Sequence, residues 1–298
     1  MTKTGGATKR IVGKIIVALF ALCMWASSHA QTASFAATPA YVYWTNTDNG
    51  TVGRATITGT GVNQTFIPSI TGGAVGGAGM TVNGSYIYWT GANGGTATTI
   101  ARANLNGTNV IRNFITGAHN PCGVAVSSSY IYWAGDVGTS IGRANLNGTN
   151  VDQNFITTGN GVCGVAVTSS YIYWANYRTA EIGRASINGT GVNLDFIRGS
   201  GAGIAIEGNY IYFTTSSNTG IGRANINGTG VNLNFIRNLS GQNAFLAADS
   251  NYIFWADFGS GYTGTTIGRA NINGTGVNQS FIRGARGPFG IAVTGGNP

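Results

Sequence analysis

Charge is what this sequence lacks most. Charged residues make up 8% of it, against roughly 25% in ordinary soluble domains. Lysine disappears after Lys14, and eight carboxylates serve 298 residues. Binding a polyanion calls for a clustered basic face, whereas the arginines here are scattered singly along the chain. Nucleic acid is therefore not expected as a partner. A phosphate loop ending in lysine is excluded once lysine is gone. Histidine is nearly absent too. Beyond residue 30 only His119 remains, and one histidine cannot build a multi-histidine metal centre. The reading expects no catalytic nucleophile, no metal and no cofactor.

Long apolar runs are equally scarce. One run, Ile15 to Trp25, follows the basic residues Lys3, Lys9, Arg10 and Lys14. It is too short to span a bilayer, which needs about 20 residues. Ser28-His29-Ala30 then supplies a small-x-small cleavage site, so residues 1–30 read as a signal peptide with Gln31 as the mature start. Residues 31–40 read as a short linker. Loss of the four leader charges lowers the formal net charge from +8 to +4. The expectation is an exported protein, secreted or periplasmic, with no membrane span after cleavage. Of three cysteines, Cys23 lies in the leader, leaving Cys122 and Cys163.

What is abundant is glycine, 49 residues of it, and it recurs with a period. A phrase beginning Tyr-Ile-Tyr-Trp starts at Tyr41, Tyr86, Tyr130, Tyr171, Tyr210 and Tyr252, with spacings of 39 to 45 residues. Its arginine recurs as Arg54, Arg102, Arg143, Arg184, Arg223 and Arg269. Its phenylalanine recurs as Phe66, Phe114, Phe155, Phe196, Phe235 and Phe281. A short apolar run precedes each tyrosine but the first, and one more, Ile291–Val293, closes the chain. Each unit thus holds four runs rich in strand formers. Three-residue joints such as Ser127-Ser128-Ser129 read as tight hairpins. Asn-Gly-Thr-Gly, as at Asn188–Gly191, supplies the positive φ of a hairpin turn. Four antiparallel strands in about 40–45 residues is a propeller blade. Residues 41–298 are therefore expected to fold as an all-β, six-bladed β-propeller. The chain enters its first blade at the second strand, so the C-terminal run is expected to join that blade and close the ring.

The Tyr-Trp pair, the Ile-x-Arg and the turn glycine together resemble the YWTD, or class B, repeat of the low-density lipoprotein receptor family. The resemblance covers essentially residues 41–293 and implies a six-bladed propeller. The namesake acidic position holds Asn46, Gly91, Gly135, Asn176 and Thr215, and only Asp257 keeps it.

An arginine repeated in every blade is expected to serve packing rather than an anion-binding ring. Cys122 and Cys163 occupy equivalent positions just before two consecutive first strands, and export permits a disulfide between them. Function is sought where the repeats diverge. One face carries similar turns, Asn-Gly-Thr in five blades and Thr-Gly-Thr in the first, and short joints. The opposite face carries unlike inserts, Gly91–Thr99, Asn176–Glu181 and Asp257–Thr266, and the unlike blade-joining loops Pro68–Ala78, Gly117–Cys122 and Asn238–Ala244. Variable loops on a rigid scaffold are where ligands are met. The candidate partner-binding residues of that face are His119, Asp136, Tyr177, Arg178, Glu181, Arg198, Arg237, Phe258, Tyr262, Arg283 and Arg286. Aromatic and arginine side chains anchor interfaces, so a protein or glycan ligand is expected. The alternative is a propeller hydrolase or lyase, lactonase-like, with a divalent metal on the axis; it requires carboxylate, Asn or His ligands converging there.

Overall fold

The computed structural model describes residues 40–70, 79–91, 98–135, 139–159 and 161–295. The expected signal peptide, most of the linker and Asp136 lie outside these, as do residues 71–78 of the loop Pro68–Ala78 and 92–97 of Gly91–Thr99. The described residues belong to one compact unit, Ala40–Pro298, and form six four-stranded antiparallel sheets. Blade 2 comprises β4 (Met80–Val82), β5 (Tyr86–Thr90), β6 (Thr99–Asn104) and β7 (Ile111–Thr116). Blade 3 comprises β8 (Pro121–Val126), β9 (Tyr130–Gly135), β10 (Ser140–Asn145) and β11 (Asp152–Thr157). Blade 4 comprises β12 (Val162–Val167), β13 (Tyr171–Asn176), β14 (Glu181–Ser186) and β15 (Asn193–Arg198). Blade 5 comprises β16 (Ser200–Glu207), β17 (Tyr210–Thr215), β18 (Ile221–Asn225) and β19 (Asn232–Ile236). Blade 6 comprises β20 (Asn243–Ala248), β21 (Tyr252–Asp257), β22 (Thr266–Asn271) and β23 (Asn278–Arg283).

Blade 1 is built from both ends of the repeat array, in the order β24 (Pro288–Val293), β1 (Tyr41–Asn46), β2 (Thr51–Thr56) and β3 (Asn63–Ile67). Val42 pairs Val293, Tyr43 pairs Ala292 and Trp44 pairs Ile291. Thr294 N donates to Tyr41 O, and Tyr41 N donates to Thr294 Oγ1 at 2.7 Å. This closure is the one the strand phase predicts, and it covers an edge that would otherwise be open.

Inside each blade the repeat phrase explains itself. Trp44, Trp89, Trp133, Trp174 and Trp255 are fully or almost fully buried, as is Phe213 in the equivalent place. Each indole of Trp44, Trp133, Trp174 and Trp255 lies against the glycine of the facing Ile-Gly-Arg (Val-Gly-Arg in blade 1), where a Cβ would collide with it. The arginine is then sandwiched between two rings. Arg143 sits 4.5 Å from the Tyr130 centroid and 3.8 Å from that of Phe155, and the other five repeat the arrangement. The phenylalanine in turn carries the next blade's turn glycine, as Phe114 carries Gly148. That glycine has φ +84°, and Asn147 Oδ1 accepts from both Thr149 N and Thr149 Oγ1. The arginines are thus packing elements, as are the tyrosines. Burial holds the Tyr43, Tyr88, Tyr132, Tyr173 and Tyr212 hydroxyls above the usual phenol range.

Several boundaries differ from the sequence reading. The first strands of blades 3, 4 and 1 begin at Pro121, Val162 and Pro288, ahead of the apolar triplets. A register shift follows each of Pro121 and Val162, at Gly123 and Gly164, so glycine hides the strand start from any alternation pattern. Cys122 and Cys163 therefore lie within β8 and β12, not before them. Glu181 opens β14 and is not a loop residue.

Candidate functional site

The first strands line the axis. A cavity of ≈ 90 Å³ lies among Thr81, Ala125, Ala166, Ala205, Ala247, Ala292 and the aliphatic residues flanking them. That is room for a few water molecules and far below an ordinary ligand pocket of about 300–1,000 Å³. First strands run from the blade-joining loops towards the short joints, so their beginnings mark the variable-face end of the channel. Among the described residues there, Cys122, Cys163, Ala202, Ala244, Phe245 and Phe289 pack into one apolar cluster. Cys122 and Cys163 are disulfide-bonded, with Cα atoms 4.9 Å apart, linking the inner strands of neighbouring blades.

The candidate residues fall into separate groups on this face. In blade 4, Tyr177 and Arg178 form the turn between β13 and β14. Asn176 Oδ1 accepts from Arg178 N at 3.0 Å and from Thr179 N. Tyr177 is 39% exposed, and the Arg178 guanidinium lies 5.5 Å from its ring centroid. Glu181 is the cross-strand partner of Arg198, which also pairs with Asp195. That exposed pair pushes the Asp195 carboxyl down and the Arg198 guanidinium up. A second group lies at the junction of blades 6 and 1, with Phe258, Tyr262 and Arg286. Arg286 N donates to Asn46 Oδ1, and Asp48 N to Arg286 O. His119 and Arg237 are exposed in other blade-joining regions, and Arg283, also exposed, ends β23 beside the junction of blades 6 and 1.

No family model and no curated protein matches the sequence. By structure, the chain aligns with one from the crystal structure of a nidogen/laminin complex, with a TM-score of 0.63 and 14% identity, over 85% of this chain and 98% of that one. The chain is a YWTD-like six-bladed β-propeller. At this identity the likeness establishes the fold, and 380 solved chains share it, so the fold does not select a function.

The propeller's surface must therefore be read on its own chemistry. The axial-metal alternative needs oxygen or nitrogen ligands at a channel end. The variable-face end offers, among the described residues, disulfide, alanine and phenylalanine side chains instead, none of which is a ligand for a divalent ion. Among the described residues, no three His, Cys, Asp or Glu side chains come together. The sequence does contain a Gly-x-Ser-x-Gly string, Gly138–Gly142, which the expectation of no nucleophile overlooked. Its mechanism demands a strand-to-helix elbow. Ser140 instead opens strand β10, is 5% exposed and donates to Gln153 O at 2.8 Å. It is a sheet residue.

Phe245, Phe289 and Asn243 are residues that sequence reasoning missed. The signal was available. Aligned first strands carry Gly79, Gly123, Gly164, Gly203 and Gly290 where blade 6 has Phe245. Phe289 likewise replaces the Cys or Ala of other blades.

Proposed function

We propose that this propeller is an exported, non-catalytic recognition module whose variable face engages a protein or glycan partner. One observation carries the reading. The Asn-Gly-Thr turns of one face repeat the same hydrogen bonds blade after blade, while the described loops of the other face differ in length, charge and ring content. A surface needed only for folding has no reason to diverge. The large side chains that do diverge, Tyr177 and Arg178 among them, are of the types that anchor interfaces.

The test compares the native protein with a Tyr177→Ala/Arg178→Ala variant on immobilised extracellular proteins and glycans. At least tenfold weaker binding with an unchanged melting temperature is expected, because both residues lie in a surface turn. Replacing Asn188-Gly189 on the opposite face should lower the melting temperature and leave binding alone. A stoichiometric calcium or magnesium ion, with lactone or ester hydrolysis lost on chelation, would instead establish the enzyme.

A further inference from the structure

Blade 6 breaks the repeat in places that meet one another. In blades 2 to 5, a Cβ on the first-strand glycine would strike the backbone of the next first strand, as at Gly123 against Cys163 O. Blade 6 accepts Phe245 there, and its register shifts between Asn243 and Leu246. Phe289 stands on the neighbouring first strand, and the long loop after β21 adds Phe258 and Tyr262. The four rings form one chain of contacts, with centroids 5.3 Å apart for Phe245–Phe289, 5.6 Å for Phe258–Phe289, 5.7 Å for Phe258–Tyr262 and 6.1 Å for Tyr262–Phe289.

The chain is graded in exposure. Phe245 is 6% exposed, Phe289 and Phe258 are half-buried, and Tyr262 is 40% exposed. Tyr262 is held with φ +64°, a left-handed conformation unfavourable for a bulky residue. The hold comes from Gly264 N donating to Phe258 O and Gly287 N donating to Gly264 O. Strain of this kind persists where surroundings impose it, often at binding sites. Here it keeps a ring at the surface. Beside the rings, Asn243 and Asp257 are cross-strand partners. Asn243 is fully buried, donates through Nδ2 to Asn218 O, and its Oδ1 has no hydrogen-bond partner among the described residues.

From this we infer that the seam between blades 6 and 1 is a subsite for a neutral sugar ring, stacked on the Tyr262–Phe258–Phe289 surface. The inference rests on the variable-face reading and narrows it to a ligand class. The three rings are tilted 43° to 66° to one another, and the electron-rich face of the exposed Tyr262, backed by the other two, suits the C–H face of a pyranose. The hydroxyls at the edge of such a ring supply donors for the half-buried Asp257 carboxylate, whereas the fully buried Asn243 amide supports the seam from beneath. A chain so poor in charge suits a neutral ligand.

The test is electrophoresis of the native protein through gels containing xyloglucan, galactomannan, laminarin or glycogen. Retardation by at least one polysaccharide is expected, weakened tenfold or more in Tyr262→Ala and retained in Tyr262→Phe. Matching melting temperatures exclude a folding effect. Retardation by none of the four, or retardation unchanged in Tyr262→Ala, overturns the sugar platform. Binding to an immobilised protein that Tyr262→Ala abolishes, with no retardation by any polysaccharide, also overturns it and identifies a protein ligand. Binding lost in Arg178→Ala but intact in Tyr262→Ala removes this subsite and leaves the variable-face reading standing. Binding that responds only to Asn188-Gly189 on the opposite face removes both.

Discussion

Two kinds of glycine that recur through most repeats look alike in sequence and differ in what they permit. Gly142 lies under the Trp133 indole, a side chain able to shift, and blade 2 carries Ala101 in that place beneath Trp89. Gly123 lies against the Cys163 carbonyl, a backbone atom of the next inner strand. Gly142→Ala should therefore cost less than about 1.5 kcal/mol, and Gly123→Ala about 1–3 kcal/mol or more. Urea denaturation of the two variants checks the order. Asp257 gives a pH-dependent prediction. Burial raises its carboxyl above the ordinary 3.8, opposed by hydrogen bonds from Gly259 N and Thr266. The unfolded chain ionises this group more readily, so its contribution to stability is most favourable below the unfolded value and declines as pH rises through the folded one. Asn46 and Asn176 fill the equivalent place in other blades. Asp257→Asn should thus raise the melting temperature at neutral pH, with the gain shrinking towards pH 3.

Among the elements, the outer strands of blades 1, 6 and 2 each clasp the blade before them. Gln64 Nε2 donates to Arg283 O, Gln279 Nε2 to Asn238 O, and Arg112 Nη2 to Ser69 O. Blades 4 and 5 place Leu194 and Leu233 at this position, 50% and 42% exposed, and Leu233 stands over Gly199. Leu233→Gln should restore the clasp and add about 0.5–1 kcal/mol, read from the melting temperature. Within a blade, the guanidinium between two rings makes two cation–π contacts. Arg143→Met should cost about 1 kcal/mol, and Arg143→Lys should recover only part of it, because an ammonium cannot stack flat on both rings. Equal stability of all three proteins would show that the sandwich contributes nothing.

The whole molecule depends on two long-range links. A chain ending at Gly287 loses β24 and leaves blade 1 with three strands and an open edge. Insolubility or a large drop in melting temperature is expected. A truncated protein within about 2 °C of full length, roughly 1 kcal/mol at this size, would contradict the closure. The disulfide spans 41 residues, worth about 4 kcal/mol by loop entropy. Reduction should lower the melting temperature, and thiol counting on the denatured, unreduced protein should find neither Cys122 nor Cys163 free.

The fold was readable because it is repeated. Tyr-Ile-Tyr-Trp, Ile-Gly-Arg and Asn-Gly-Thr each recur at matching places, and local pairing rules suffice to make strands and turns of them. Even ring closure was readable, since Ile291–Val293 has no other blade to complete. The partners of a side chain across blades were not. That Arg143 lies between Tyr130 and Phe155 follows from strand register and twist, which no spacing encodes. The seam was the least readable part. Phe245 and Phe289 are 44 residues apart in sequence and touch only because the ring sets two inner strands side by side. Tyr262 joins them because glycines on either side turn its loop back. Periodicity determined the scaffold, whose contacts are local and alike in every blade. The tertiary structure decided the site, because its contacts join residues where the repeats differ.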